Sequence, residues 1–210
     1  MAGKRAETLL ESMFFIRRFT LERAWTGLTD EEFFWEPTPN TWSVRPVSES
    51  RTATPWVSGE WEADYDTDVT MNPDLDLAVD GEPLTNIAWL YWHVGSMPGR
   101  AAELDFLGGS HTSESGWTSP YFASRTAPHP IFTSADEAVT TMRDGWRALV
   151  DVLRNATDEQ LEEHKLTAGS RQDATGSQLI AGVVNEVSHH ATQIGVLRDF
   201  YRISSRRSGG

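Results

Sequence analysis

The stretch TGSQLIAGVVNEVSHHATQIGVLRDFYRI, residues 175–203, carries helical periodicity and opens on Thr175-Gly176-Ser177-Gln178, a helix-capping pattern. Three more segments read the same way. The first runs from about Arg5 to Gly27, where Leu9, Leu10, Met13, Phe14, Ile16, Phe19, Leu21 and Trp25 recur at three- and four-residue steps and leave one face wet. The second follows Asp80-Gly81-Glu82-Pro83 and extends from about Thr85 to Leu107, where Gly108-Gly109 stops it. The third opens at Ser134-Ala135-Asp136-Glu137, a capping box, and continues to about Asn155.

The connections repeat. Leu28-Thr29-Asp30-Glu31-Glu32-Phe33 follows the first long helix and Ala156-Thr157-Asp158-Glu159-Gln160-Leu161 follows the third, each reading as a capped short helix. An acidic insertion from Pro46 to Pro83 holds Trp56, Trp61 and Tyr65, and reads either as a long loop that lids or walls a site or as a mobile surface loop. A second irregular stretch, Gly108 to Thr133, holds Trp117, Tyr121 and Phe122. Four long helices with long loops between helices one and two and between two and three predict an all-α four-helix bundle. One domain is expected over residues 1–204, with a frayed tail at 205–210.

Charge and composition remove several function classes. The 210 residues hold 18 Lys+Arg against 31 Asp+Glu, a net charge of −13, with no basic tract to follow a phosphate backbone. Nucleic acid and anionic membranes are therefore poor partners. No apolar run approaches the ~20 residues of a membrane span, so a cytoplasmic location is expected. Cysteine is absent, which excludes disulfides, thiolate ligands and a cysteine nucleophile within these residues. Any sulfur chemistry must use a thiol from outside. Among the basic residues only Lys4 and Lys165 are lysine, an arginine skew of the kind that GC-rich codon usage produces.

Candidate metal ligands lie among the histidines. His111, His129 and His164 sit in polar surroundings without a partner at ligand spacing and read as solvated. In the last helix Glu186 and His190 stand at i and i+4 on one face, so both can reach one metal. That pair alone also occurs on ordinary wet helix faces, and a site needs a third ligand. His93 supplies the candidate from the apolar run Ile87-Ala88-Trp89-Leu90-Tyr91-Trp92-His93-Val94, where a histidine is by default a satisfied core residue. Helices two and four of a bundle can face each other, which lets His93 meet the Glu186/His190 pair. Two imidazoles, a carboxylate and an open position suit a catalytic divalent ion, zinc best, with nickel, manganese or ferrous iron as alternatives. The adjacent His189 offers an alternative register. Pro98, five residues past His93, predicts a kink or break near Gly95.

Trp35-Glu36-Pro37, Asn40-Thr41-Trp42-Ser43-Val44, Asn86-Ile87-Ala88-Trp89 with His93, and Asn185-Glu186 with His189-His190, Gln193-Ile194-Gly195 and Leu197-Arg198 together resemble the DinB superfamily of metal-binding four-helix bundles. The resemblance runs over nearly the whole chain. It implies His93, Glu186 and His190 as the metal ligands, the carboxylate variant being similar to that of mycothiol-dependent maleylpyruvate isomerase. It also implies thiol chemistry, with mycothiol or bacillithiol as the low-molecular-weight thiol cosubstrate of an S-transferase acting on an electrophilic small molecule, or of a thiol-dependent isomerase. A metal-binding or small-molecule-binding bundle that makes no bond is the alternative. Within that chemistry His189 is the candidate auxiliary base, Gln193 and Arg198 are candidate substrate-binding residues, and a homodimer is an open possibility.

Overall fold

Caps set where the helices begin. In the computed structural model, which describes residues 3–51, 55–64, 84–103, 130–166 and 173–208, the chain opens with α1 (Lys4–Ile16), widens into a π-helical turn (Arg17–Leu21) and continues as α2 (Glu22–Trp25). Sequence periodicity predicts one unbroken α-helix here. The π-turn admits an extra residue without ending the helix, so it leaves no breaker residue to read. The short α3 (Asp30–Phe33) starts where the Thr29 side chain accepts from Glu32 N–H at 3.3 Å.

The insertion begins as a small sheet, which corrects the expectation of a loop and of an all-α chain. Strands β1 (Val44–Pro46), β2 (Trp56–Ser58) and β3 (Trp61–Ala63) are antiparallel in the order β1-β3-β2. Gly59, with φ of 63°, opens the two-residue turn between β2 and β3, a backbone conformation that glycine adopts without strain. One face is turned to the helices: Trp61 stacks on Phe34 at 5.6 Å and Trp56 meets Trp92 at 6.3 Å. Residues 65–83 of the insertion lie outside the described residues, as do His111, His129, Trp117, Tyr121 and Phe122.

The second long segment is two helices, α4 (Ile87–Val94) and α5 (Met97–Glu103), broken at Gly95-Ser96 as Pro98 predicts. Pro98 falls in the first turn of α5, where its missing N–H has no intrahelical acceptor to lose. Asn86 caps α4, accepting from Trp89 N–H at 2.9 Å. Helix α6 (Ala135–Arg154) is capped by Ser134, and the carboxylate of Glu137 accepts from Thr133 N–H at 3.1 Å, one residue earlier than a full capping box requires. After α7 (Asp158–Glu162) and the two-stranded β4 (His164–Leu166) and β5 (Asp173–Thr175), a reciprocal Thr175/Gln178 box starts α8 (Gly176–Ser208). Residues 205–208 thus belong to the helix and not to a frayed tail.

The chain is mostly helical. Helix α5 lies against α6, α1 against α6, and α8 against α2, α4 and α5. The α5–α6 approach is close enough that a Cβ on Gly145 would sit 2.5 Å from Gly99 N, so this crossing requires glycine. Helices α1 and α8 run parallel, because both start beside α7: Gly3 N–H donates to Ala156 O at 3.0 Å and Gly176 N–H to Glu163 O at 3.2 Å. At the far end Arg23 pairs with Asp199. Among the described residues no helix is long and apolar enough to cross a membrane.

Candidate metal centre

His93 lies near the end of α4, whose other side chains from Ile87 to Val94 are all buried; Glu186 and His190 lie one turn apart on α8. The α4–α8 contact brings one ligand atom from each of His93, Glu186 and His190 within 4.8 Å of the others. The imidazoles of His93 and His190 meet edge to face, 4.9 Å between ring centres at 89°. His190 Nε2 stands 3.3 Å from Glu186 Oε2. All three side chains are half-buried, shielded enough to hold an ion and open enough to admit a small molecule.

Gln193 fixes how His190 presents itself. Its Oε1 can only accept, and it lies 2.6 Å from His190 Nδ1, so Nδ1 carries a proton and a neutral ring keeps its Nε2 lone pair for the ligand cluster. This places Gln193 on the ligand's far side. While His190 is doubly protonated, its hydrogen bond to Glu186, joined by the positive charges of His190, His93 and His189, holds the Glu186 carboxyl below the usual carboxylate range against the opposing effect of burial; a bound cation would take the place of the Nε2 proton. An ionised carboxylate and an oriented imidazole are what a divalent cation requires of such a set, and the residues present fit one.

His93 has a support that sequence reading missed. Trp89, one turn earlier on α4, stacks on its ring at 5.3 Å and 20°. The Trp89 indole N–H donates to the Asp64 carbonyl just past β3 at 2.7 Å. The Asp64 carboxylate in turn accepts from Arg45 Nη1 at 2.6 Å and Ser43 N–H at 2.9 Å. The small sheet is therefore fastened directly to the residue that holds His93. The i, i+4 spacing of Trp89 and His93 was the available signal.

The remaining candidates separate. His189 is exposed, its ring 5.0 Å from that of His190, and it lies outside the three-residue cluster. Arg198, read as a candidate substrate-binding residue, is buried and taken up by protein partners. Only 2% exposed, its Nε and Nη2 donate to the Glu32 carboxylate at 2.8 and 3.0 Å. Its Nη1 donates to the carbonyls of Arg23 at 2.7 Å and Thr26 at 3.0 Å, which the end of α2 leaves without helical partners. His164 has its backbone in β4. A groove of about 440 Å³ between α1 and α6, floored by Leu10, Met13, Trp146 and Val150, shares no residue with the cluster.

A search of curated proteins finds no match to this chain. A sequence model of the DinB superfamily does match, over residues 17–194. That range takes in the π-turn, the sheet, α4 with His93, and α8 as far as Glu186, His190 and Gln193. With most of its length accounted for by this one family, the chain belongs to the DinB superfamily.

Proposed function

We propose that this protein is a divalent-metal-dependent S-transferase, built as a four-helix bundle and working in the cytoplasm, that joins a low-molecular-weight thiol to an electrophilic small molecule. The observation that carries the reading is the convergence of His93 with Glu186 and His190 across α4 and α8, all within 4.8 Å. Two imidazoles and one carboxylate suit zinc best and are compatible with nickel, manganese or ferrous iron. A divalent ion bound there with an open position supplies Lewis acidity, which favours the thiolate form of a thiol at neutral pH.

The protein's own groups do the rest. His93 and His190 present nitrogen donors whose rings are held by Trp89 and Gln193. Glu186 contributes an ionised oxygen. His189, exposed beside His190, is placed to take or give a proton at the edge of the site. The absence of cysteine fits a thiol that arrives as a substrate. The arginine-rich, lysine-poor composition favours mycothiol over bacillithiol.

Metal analysis of the purified protein, together with thiol-consumption assays over a panel of thiols and electrophiles, tests the reading. Stoichiometric metal, lost in His93→Ala and His190→Ala with helical content retained, and thiol turnover that stops on metal removal are expected. Metal without turnover would favour a binding bundle, and thiol consumed and then regenerated would favour an isomerase. Neither metal nor turnover would overturn the proposal.

A further inference from the structure

We propose that the outer face of the parallel helices α1 and α8 docks a second copy of this chain about a two-fold axis. The proposal is independent of the metal reading. Phe15 on α1 and Phe19 in the π-helical turn that continues it stack on each other at 6.1 Å and 11°. Val196, Phe200 and Ile203 follow at helical spacing along one side of α8. These five side chains are 48–65% exposed, although the same two helices bury Met13, Leu21, Val187, Ala191 and Ile194 on their inner sides. Arg23, one turn past Phe19, reaches across to Asp199 and lies against Gly195, which joins the two stripes into one face. At roughly 200 Å² per aromatic side chain and somewhat less for Val and Ile, the exposed apolar area is on the order of 500 Å². That is a large share of the ~800 Å² per partner that a stable interface buries.

Charge chooses the occupant and its direction. Glu7 and Glu11 are exposed near the start of α1, and Arg206 and Arg207 near the end of α8. None of the four makes an ion pair among the described residues. Carrying the Arg23–Asp199 register along the parallel helices sets Phe19 about level with Gly195 and Glu11 about level with Val187. The apolar stripe is therefore centred near Val196 and Leu197. A two-fold axis through that centre, perpendicular to the helices, reverses one copy and brings its Glu11 level with Arg206 and Arg207 of the other. Acidic end then meets basic end twice, as an isologous interface requires. A parallel pairing would set like charges together, and at −13 per chain an unmatched encounter between copies is repulsive.

Sedimentation equilibrium and light scattering of the full chain, purified with whatever metal it carries, test the assignment. A reversible dimer is expected. Phe19→Glu and Phe200→Glu should each weaken it at least about 30-fold while far-UV circular dichroism and metal content stay unchanged. Glu11→Arg and Arg207→Glu should each weaken it by about 3- to 5-fold, and the two together should restore the original dissociation constant. A monomer at every concentration up to the millimolar range would overturn the proposal. So would a dimer that Phe19→Glu and Phe200→Glu leave intact, which would assign association to another face. Failure of the charge exchange to restore affinity would overturn the antiparallel register.

Discussion

Gln193 stands behind His190, its oxygen 2.6 Å from Nδ1 and so on the opposite side of the ring from the Nε2 that faces Glu186. Gln193→Ala should leave helical content unchanged and weaken metal affinity by about 10- to 100-fold, read by competition with a chelator of known affinity. Undiminished affinity would show that His190 needs no such orientation. Arg198 offers the opposite case, a charge that serves folding. Arg198→Ala leaves the buried Glu32 side chain without its partner and uncovers the carbonyls at the end of α2, so a loss of about 3–5 kcal/mol is expected in urea unfolding, with metal stoichiometry kept at low temperature. The pairing of Glu186 with His190 was legible in the sequence because i, i+4 spacing is a local property of a helix, whereas His93 joins them only through the packing of α4 on α8. Arg198 was not legible, because charge is read as exposure. Its place one turn past Ile194 and two past Ala191 on the buried stripe was the contrary sign.

Among the elements, the helices were legible and the sheet was not. Caps such as Thr157/Gln160 and Thr175/Gln178 are written in adjacent residues, whereas β1 pairs with β3 across the intervening β2, a non-local event with no local code. Gly59 between Trp56-Val57-Ser58 and Trp61-Glu62-Ala63 was a hairpin signal hidden by acidic surroundings. The sheet is tied to the chain before it through Glu36, which accepts from Arg51 Nη1 at 2.8 Å and Arg45 Nη2 at 3.4 Å. Burial raises the Glu36 carboxyl, but Arg51, Ser43 and Arg45 outweigh it and the net shift is downward from 4.5. A carboxyl lowered by folding contributes stability that is complete above its unfolded pKa and lost as pH falls through its folded one. Glu36→Gln should therefore cost stability at pH 7, by roughly 1 kcal/mol because Arg51 is half exposed. Wild type and variant should converge as unfolding is measured from pH 5 down to pH 3. A difference that persists unchanged at pH 3 would assign the effect to packing.

Across the whole molecule, the absence of any thiol among 210 residues constrains kinetics. In the proposed S-transfer, with no cysteine to carry sulfur covalently, thiol and electrophile are held together, so initial-rate patterns with both substrates varied should be sequential; parallel ping-pong lines would contradict this. The stacking of Trp89 on His93 adds an optical consequence. Trp42 lies 5.7 Å and Trp92 5.4 Å from the Trp89 ring, so excitation absorbed by this cluster passes readily to the indole touching the candidate ligand. A d-electron ion such as Co²⁺ or Ni²⁺ seated at His93 should quench that emission in step with occupancy, and diamagnetic Zn²⁺ should leave it bright. Titration curves that vanish in His93→Ala would make the native chain its own fluorescent gauge of cation loading, without an attached dye.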